Sequence, residues 1–412
     1  MKVLIASDSY KYQTSGAANV VITLAEELRR RGHSVRVLAL SNTKHSFRDG
    51  DDYYIRSLPT FVYPDVRYSL AHHDPLLREL REWNPDVIHM HTEIAAARMA
   101  RAIARADHTP YVMTAHTDYA RFLFGTACDR RPIRKIFREM GRYVFRGAAV
   151  ITTPSEKALS FALLETVKPR IVVIPNGIRL EQMQQKATAE ERAALFQQWN
   201  LKDNGRTVVI VSRLSKEKRL DEIITYFPGV LARVPDAQLL IVGDGPDRAN
   251  LESLAEEKGI AEHVRFTGRI PPEEVWRYYD LGEVFVSAST FEVHSLTYLE
   301  AMARGLPLVC REDPCLRGVL EDGENGVAYR TQQEFEDSVV ALLTDKELRG
   351  RMGIRSLEKS AEFSTERCAD RMLELYQSVM DSQKQNGARR THGPRLVTPG
   401  RRLVRLHRTT GN

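Results

Sequence analysis

The chain has 412 residues, of which 42% are hydrophobic and 28% are charged, and it carries a net charge of +6 at pH 7. This length predicts two or three domains with full hydrophobic cores, and the composition excludes disorder, collagen and coiled coil as descriptions of the whole chain. No apolar run approaches the roughly 18 residues of a membrane span, and the apolar N-terminal stretch is too short for a signal peptide. We therefore expect a cytoplasmic protein.

The charge is unevenly distributed along the chain. Residues 1–180 carry 27 basic and 18 acidic side chains (+9), residues 181–383 carry 25 and 36 (−11), and residues 384–412 carry eight basic side chains and no acidic one (+8). The four cysteines match no zinc-binding spacing and predict reduced, mostly buried thiols. The uneven distribution of charge favours local anionic partners over a nucleic acid bound along the whole chain.

Short apolar runs rich in β-branched residues alternate with amphipathic stretches along the chain. The first series of predicted strands is Val3–Ala6, Val35–Leu40, Val87–His91, Tyr111–Ala115, Val150–Thr153 and Ile171–Pro175. The second series is Thr207–Ser212, Gln238–Val242, Val264–Thr267, Val284–Ala288, Pro307–Cys310 and Val327–Tyr329. The predicted helices between them include Ala17–Arg31, Ala187–Trp199, Asp221–Arg233 and Asp247–Lys258. Continuous apolar strands are typical of sheets covered on both faces, so two doubly wound α/β domains are predicted.

The predicted domain limits follow the two series. Residues 1–178 form an N-terminal Rossmann-like domain and residues 179–360 a second one. Residues 361–382 form a C-terminal helix that packs back toward the N-terminal domain. Residues 383–412 are polar, basic and rich in Gly and Pro, which predicts a disordered tail.

Three segments of the second half place polar groups at the carboxyl ends of strands, where open α/β sheets bind ligands. Arg213 and Lys218 follow the first of these strands, and Gly243 ends the next in the run VGDGP. Residues 285–307 read FVSASTFEVHSLTYLEAMARGLP and predict strand, loop, helix and strand. This order places Glu292 in the loop and Glu300 in a helix that begins near Ser295. Free N–H groups at such a helix start favour phosphate, whereas a carboxylate suits a ribose diol.

No dinucleotide-binding fingerprint accompanies these segments. The run GDGPDR has Arg248 where a third glycine is required, and the first turn of the N-terminal domain reads SYK. A nicotinamide-dependent oxidoreductase is therefore disfavoured.

Together with the sequence around Glu292 and Glu300, these segments make residues 1–380 resemble the retaining glycosyltransferases of family 4. Those enzymes have the GT-B fold of two Rossmann-like domains facing across a cleft. The acidic pair spaced by seven residues and the following AMARGLPLV carry the resemblance most strongly. The run SGAAN at residues 15–19 is similar to the family's glycine loop, with Ser15-Gly16 in place of the usual glycine pair. Ser295 replaces another frequent glycine. Both departures concern the phosphate contacts.

The resemblance implies a role for each matched residue. Arg213 and Lys218 would hold the donor diphosphate, and Glu292 would hydrogen-bond the transferred sugar. Backbone N–H groups of His294, Ser295 and Leu296 would support the phosphate, while Glu300 would hold the ribose. The remaining positions are Gly16 and Gly243 beside the donor, Arg269 near its base, and His116 near the sugar and acceptor. The family chemistry needs neither a metal ion nor a protein nucleophile, and Glu292 as nucleophile is the less favoured mechanism.

A basic amphipathic helix is predicted over residues 130–146. Ile133, Ile136, Phe137, Met140 and Val144 share one face, and Arg131, Arg134, Lys135, Arg138, Arg142 and Arg146 share the other. The apolar face is expected to pack on the sheet, which leaves the basic face for anionic headgroups. The segment FEVHSLTYLEAM and the following LVCREDPC are most similar to bacterial 1,2-diacylglycerol 3-glucosyltransferases. This resemblance implies UDP-glucose as donor, a lipid acceptor, and a location on the inner face of the cell membrane.

Three alternatives remain open from the sequence. The first is a family 4 enzyme acting on a cell-wall or surface-polysaccharide acceptor. The second is a sugar-nucleotide 2-epimerase with the same architecture. The third is a nucleic-acid-binding protein that uses the basic tail, although the tail has no folded motif and we expect no nucleic-acid partner.

Overall fold

The computed structural model describes residues 1–12, 16–60, 67–116, 131–161 and 169–391. The first ten strands are β1 (Lys2–Ser7), β2 (Ser34–Leu40), β3 (Phe47–Asp49), β4 (Asp52–Ile55), β5 (Leu58–Pro59), β6 (Arg67–Tyr68), β7 (Val87–Met90), β8 (Tyr111–Thr114), β9 (Val150–Thr153) and β10 (Arg170–Val173). The remaining strands are β11 (Thr207–Val211), β12 (Gln238–Val242), β13 (Val264–Phe266), β14 (Val284–Ser287), β15 (Leu308–Arg311) and β16 (Gly326–Tyr329). All twelve predicted strands are present, with bounds shifted by at most one or two residues.

The described α-helices lie between and after these strands. The first seven are α1 (Gly16–Arg30), α2 (Pro75–Glu82), α3 (Ala95–Asp107), α4 (Arg131–Phe145), α5 (Leu180–Met183), α6 (Ala189–Gln198) and α7 (Leu220–Arg233). The other six are α8 (Arg248–Glu257), α9 (Val275–Tyr279), α10 (Leu296–Ala303), α11 (Gln332–Thr344), α12 (Lys346–Ser360) and α13 (Thr365–Thr391).

Two large sheets organise the described part of the molecule, and β5 and β6 form a small third one. The N-terminal sheet has the order β10-β9-β8-β7-β1-β2-β4-β3, and its strands are parallel except for the edge strand β3. The C-terminal sheet has the order β13-β12-β11-β14-β15-β16 and is parallel throughout. In both sheets the strand order reverses beside the first strand, as in doubly wound folds, and this places a crevice at the carboxyl ends of the central strands.

Both faces of each sheet are buried, as the continuous apolar strands predict. Along β11, Val208 and Ile210 join one apolar cluster, while Val209 and Val211 join the cluster on the opposite face. Successive side chains of a strand point to opposite faces, so an unbroken apolar run supplies two cores at once.

The chain passes between the two sheets twice, and the two passages lie against each other. Ile178 donates its backbone N–H to Phe363 O (2.9 Å), and Thr365 donates to Ile178 O (2.9 Å). A Cβ on Gly177 would lie 2.7 Å from Thr365 Cα, so only glycine allows this close approach. The boundary predicted between residues 178 and 179 falls in the first of these passages.

Helix α13 packs on the N-terminal sheet and on α1. Its buried residues Cys368, Met372 and Tyr376 join the cluster formed by one face of β1 and β2, which includes Val3 and Val35. Arg31 at the end of α1 forms an ion pair with Asp370 and donates to Glu366 O at 2.9 Å.

Two features of the sequence-based description require correction. Helix α13 continues to Thr391, beyond the end predicted at residue 382, since lysine, glutamine, alanine and arginine favour a helix in this stretch. Residues 392–412 of the predicted tail lie outside the described part of the chain. Ile136, predicted to pack on the sheet, is 58% exposed. The inward face of α4 is set by the buried Val144 and Phe145, and Ile136 lies nine residues, or two and a half turns, before Phe145.

Candidate active site

A cleft of about 910 Å³ separates the two sheets, and residues of both line it. Asp8 and Ser9 follow β1, and Pro154 follows β9 on the N-terminal side. Ser212 and Gly243 follow β11 and β12 on the C-terminal side. The carboxyl ends of the two parallel sheets therefore face each other, and the polar groups that terminate their strands converge on one space.

The two predicted cations lie on the C-terminal wall of this cleft. Arg213 follows β11, and Lys218 belongs to the single 3₁₀ turn Lys216–Lys218. The Lys218 ammonium forms an ion pair with the carboxylate of Glu292. Lys216 of the same turn is exposed and does not line the cleft. The structure thus brings Arg213, Lys218 and Glu292 together on one wall of the cleft.

Glu292 is a partly buried carboxylate held by neighbouring donors. Burial alone would raise the pKa of Glu292, but the positive charge and hydrogen bond of Lys218 and a hydrogen bond from Ser289 lower it below its ordinary value. Ser289 Oγ donates to Glu292 Oε1 at 3.0 Å. The charge of Lys157, from the N-terminal side, acts in the same direction. Glu292 is therefore ionised at neutral pH.

The start of α10 presents backbone donors to the cleft. Ser295 is the N-cap residue, and its side chain lies 3.0 Å from Thr297 Oγ1 and makes no capping hydrogen bond. His294, Ser295 and Leu296 line the cleft. The first N–H groups of this helix are consequently not capped by the Ser295 side chain, which suits an anionic ligand.

Glu300 lies on the second turn of α10 and also lines the cleft. Burial raises the pKa of Glu300, and the Tyr279 hydroxyl donates to its Oε2 at 2.7 Å. Tyr279 comes from α9 and is fully buried. This tyrosine fixes the Glu300 carboxyl group in place, and nothing in its local sequence predicts that contact.

His294 differs from the other residues at the start of α10. Burial lowers the pKa of His294 to about 4, so the ring is neutral near pH 7. Asn176 Nδ2 donates to the His294 carbonyl oxygen at 3.3 Å, and the ring lies against Phe363, with 5.6 Å between centroids. Asn176 and Phe363 belong to the two passages between the sheets, so this loop is held where the two halves of the molecule meet.

The predicted glycines occupy two different environments. Gly16 begins α1 and lines the cleft, and a Cβ there would meet no protein atom within 4 Å. Gly243 has φ +135°, and a Cβ on it would lie 2.0 Å from Ser212 O. Its backbone conformation and the adjacent strand end therefore require glycine at residue 243, which also lines the cleft.

Arg269 also lines the cleft, one residue after Gly268. The Gly243 N–H donates to Gly268 O at 3.1 Å, which ties the ends of β12 and β13 together. Ser15, the other residue of the predicted glycine pair, lies outside the described residues.

His116 faces these groups from the N-terminal side. It follows β8, lines the cleft and is half-buried. Its Nε2 lies 2.9 Å from Nδ1 of His91, which follows β7 and is buried. Burial lowers the pKa of His116 to about 4. His91 did not emerge from the sequence, because its contact with His116 joins the ends of two strands 25 residues apart.

A buried ion pair across the cleft was also missed by sequence reasoning. Lys157, in the turn after β9, lies 2.7 Å from Asp313 Oδ1 and donates to Thr290 O at 2.8 Å. Both charged side chains are 7% exposed. Thr290 and Asp313 are more than 130 residues from Lys157, so only the position of Lys157 after a strand hinted at a role.

The basic helix lies away from this cleft. Arg131, Lys135 and Arg138 are exposed on α4, and none of them lines the cleft. Arg142 is partly exposed and lies 2.7 Å from Glu139. The side chain of Arg134 is outside the described part of the structure, as are those of Ile133, Phe137 and Met140.

The described residues contain neither a cluster of metal ligands nor a membrane-spanning helix. Over those ranges, no group of three or more His, Cys, Asp or Glu side chains is arranged to hold a metal ion. No helix among them has the length and apolar character needed to cross a membrane.

Comparison with known proteins identifies the class to which this fold and cleft belong. The family model described as "Glycosyltransferase Family 4" matches residues 14–182, and the one described as "Glycosyl transferases group 1" matches residues 191–359. The chain belongs to the family 4 glycosyltransferases with the GT-B fold. This result confirms the family and fold expected from the acidic pair and its flanks.

Particular relatives are similar over nearly the whole chain. Alpha-monoglucosyldiacylglycerol synthase of Acholeplasma laidlawii is 28% identical over 377 residues, covering 89% of this chain and 92% of that protein. The enzyme of the same name from Streptococcus pneumoniae is 29% identical over 386 residues, covering 91% and 85%. The structure of the Anabaena protein HepE in complex with UDP-glucose has a TM-score of 0.72 at 18% identity, covering 92% and 100%, and supports the fold.

Proposed function

We propose that the cleft transfers glucose from UDP-glucose to 1,2-diacylglycerol at a membrane surface, with retention of configuration and without a metal ion. The main support for this proposal is the arrangement of one cleft. Its C-terminal side holds Arg213, Lys218, Glu292 and Glu300, and its N-terminal side holds His116. Similarity to two alpha-monoglucosyldiacylglycerol synthases supports the same sugar and acceptor class.

The diphosphate is the group that the C-terminal wall suits best. When the sugar leaves, negative charge develops on the phosphate oxygens and must be met by groups already in place. Arg213 and Lys218 supply positive charge, and the N–H groups at the start of α10 supply oriented dipoles. Together these groups stabilise the leaving nucleotide without a bound cation.

The two acids are proposed to hold the hydroxyl groups of the donor. Ionised Glu292 accepts hydrogen bonds from the transferred sugar, while Glu300, steadied by Tyr279, accepts them from the ribose. Gly16 leaves room beside the donor, and the backbone at Arg269 borders the base.

The reaction needs no protein nucleophile. The bond between the anomeric carbon and the phosphate oxygen breaks, and the acceptor oxygen forms a new bond to the same carbon on the same face. The departing phosphate takes the proton of the acceptor hydroxyl. Glu292 is already held by Lys218 and Ser289, which suits a binding role better than attack on carbon.

The surface of α4 supports a membrane acceptor. Three exposed cations, Arg131, Lys135 and Arg138, project from a helix that also exposes Ile136 and Tyr143. Cations near anionic headgroups contribute about 1 kcal/mol each, and exposed apolar side chains enter the interface.

The proposal is tested by assaying a set of nucleotide sugars against a set of acceptors. UDP-glucose, UDP-galactose and GDP-mannose are each incubated with diacylglycerol in mixed micelles, with a soluble polysaccharide, and with no acceptor, in the presence and absence of EDTA. We expect UDP release and glycolipid only with UDP-glucose and diacylglycerol, unchanged by EDTA. Transfer to polysaccharide without lipid would show that the acceptor is a polysaccharide and not a lipid. Epimerised sugar in the absence of any acceptor would show that the enzyme is an epimerase and not a transferase.

A further inference from the structure

Two histidines at the carboxyl edge of the N-terminal sheet are joined ring to ring. His91 Nδ1 lies 2.9 Å from His116 Nε2, and the two rings are nearly parallel at 15° with centroids 5.2 Å apart. His116 lines the cleft, whereas His91 is 2% exposed and does not line it. The buried ring therefore reaches the cleft only through His116.

His91 is itself held firmly in place. The ring of His89 lies against it with 3.9 Å between centroids. His89 Nε2 lies 2.6 Å from Thr114 Oγ1, and its Nδ1 lies 2.6 Å from the hydroxyl of Tyr376 on α13. The pair of histidines is thus supported from β8 and from the C-terminal helix.

Both rings of the pair are neutral at neutral pH. Burial, with a smaller contribution from neighbouring histidines, lowers the pKa of His91 well below its ordinary value, and burial lowers that of His116 to about 4. Each ring then carries one proton, and a hydrogen bond between them requires one ring to donate and the other to accept.

Two arrangements of the protons satisfy this bond. In the first, His91 donates Nδ1–H to His116 Nε2, and His116 keeps its proton on Nδ1. In the second, His116 donates from Nε2, and His91 keeps its proton on Nε2. His91 Nε2 is buried and has no hydrogen-bond partner among the described residues. The second arrangement therefore buries an N–H without an acceptor, which is rarer in proteins than an acceptor with an unused lone pair.

We infer that His91 is a positioning residue that fixes the tautomer of His116, so that His116 presents Nδ1–H to an oxygen atom of the ligand in the cleft. That the ligand is a sugar nucleotide or its acceptor rests on the proposed function. Held in this way, His116 is a hydrogen-bond donor and not a general base. This agrees with a reaction in which the departing phosphate accepts the proton.

The tautomer is measured directly by ¹⁵N NMR of the full chain labelled in its 12 histidines. Long-range ¹H–¹⁵N correlations distinguish the protonated from the bare ring nitrogen, and spectra of His91→Asn and His116→Asn assign the pair. We expect a protonated Nδ1 and a bare Nε2 in both rings. A proton on His116 Nε2 would overturn the inference. The readout needs no substrate, so it stands even if no sugar transfer is found.

Two variants at residue 91 separate positioning from packing. Asparagine can donate an N–H where His91 Nδ1 lies, whereas leucine fills a similar space, makes no hydrogen bond and leaves the proton of His116 free to move to Nε2. We expect the kcat of H91N to exceed that of H91L by roughly tenfold or more, when both retain the wild-type circular dichroism spectrum. Equal kcat in the two variants would overturn the inference. If one variant does not fold, the tautomer of His116 measured by NMR in the wild-type chain decides whether the inference holds.

Discussion

Glu292 is the residue whose role distinguishes the two mechanisms considered for this cleft. Its carboxylate is partly buried, ionised and held by Lys218 and Ser289. If it only holds sugar hydroxyls, replacing it with the isosteric amide removes charge and keeps most of the shape. If it attacks carbon, the amide removes the reaction.

Glu292→Gln is expected to lower kcat by roughly ten- to a hundredfold, in steady-state assays of UDP release. Glu300→Gln serves as a comparison and should act mainly on KM for the donor, because Glu300 is proposed to contact the ribose. A loss of about 10⁴-fold or more in E292Q, with intact donor binding by calorimetry, would instead identify Glu292 as the nucleophile.

Lys218 offers a matched comparison within one turn. Lys218→Met should lower kcat/KM by roughly 10²–10³-fold, because the leaving diphosphate loses a preplaced cation and Glu292 loses its partner. Lys216→Met removes the same charge from the same turn at an exposed position outside the cleft, and should change kcat/KM less than twofold. Equal effects of the two variants would assign the loss to net charge and remove Lys218 from the site.

Among the strands, length, burial and apolar character decide which ones could be predicted from the sequence. The twelve strands were predicted because each contains a short apolar run, and most of these runs are buried on both faces of a sheet. The strands β3, β5 and β6 were missed because they have two or three residues each and little burial. The buried β4 was missed because its sequence DYYI begins with the charged Asp52 and contains only one aliphatic side chain.

The residues of the candidate site also fall into those that the sequence predicts and those that it does not. Arg213, Glu292 and Glu300 could be placed in one predicted site because the topology of a parallel sheet brings its strand ends together whatever the loops do. His91, Lys157 and Tyr279 were missed because each acts through a partner distant in sequence or on another element, and no local pattern encodes such a contact.

The proposed contact of helix α4 with anionic lipid can be tested by removing its exposed cations. Replacing Arg131, Lys135 and Arg138 with Gln should weaken binding to vesicles of phosphatidylglycerol and phosphatidylcholine by about 3 kcal/mol, or roughly a hundredfold, in a sedimentation assay. The effect should shrink as salt rises, because the exposed charges are screened.

The matched control removes the same charge from the C-terminal half. Lys186 and Lys202 lie in exposed loops, and Lys346 is the exposed first residue of α12, so their replacement by Gln should leave vesicle binding within about threefold. Equal loss in the two triple variants would show that net charge, and not α4, governs binding.

At the scale of the molecule, the two halves are joined by a buried ion pair as well as by the chain. Lys157 from the N-terminal half meets Asp313 and Thr290 from the C-terminal half, with both charged side chains 7% exposed. Thr290 lies two residues before Glu292, so this contact also supports the loop that carries the acid. Removing one partner of a buried pair leaves the other charge uncompensated.

Lys157→Met should lower the free energy of unfolding by about 3–5 kcal/mol, and the double variant K157M/D313N should recover most of that loss, in denaturant titrations. The exposed pair Arg317–Glu156 also joins the two halves, at 2.8 Å, and provides the control. Arg317→Gln should cost less than about 1 kcal/mol. No recovery in the double variant would mean that Lys157 acts by packing.

The most direct test of the account is the product formed from UDP-glucose and 1,2-diacylglycerol on anionic vesicles in the presence of EDTA. The account predicts one UDP released for each glucosyl lipid, and a ¹H NMR coupling of the anomeric proton that identifies the α-linkage of the donor. A β-linked product, or no glucosyl lipid while UDP-glucose is bound and used with another acceptor, would contradict it.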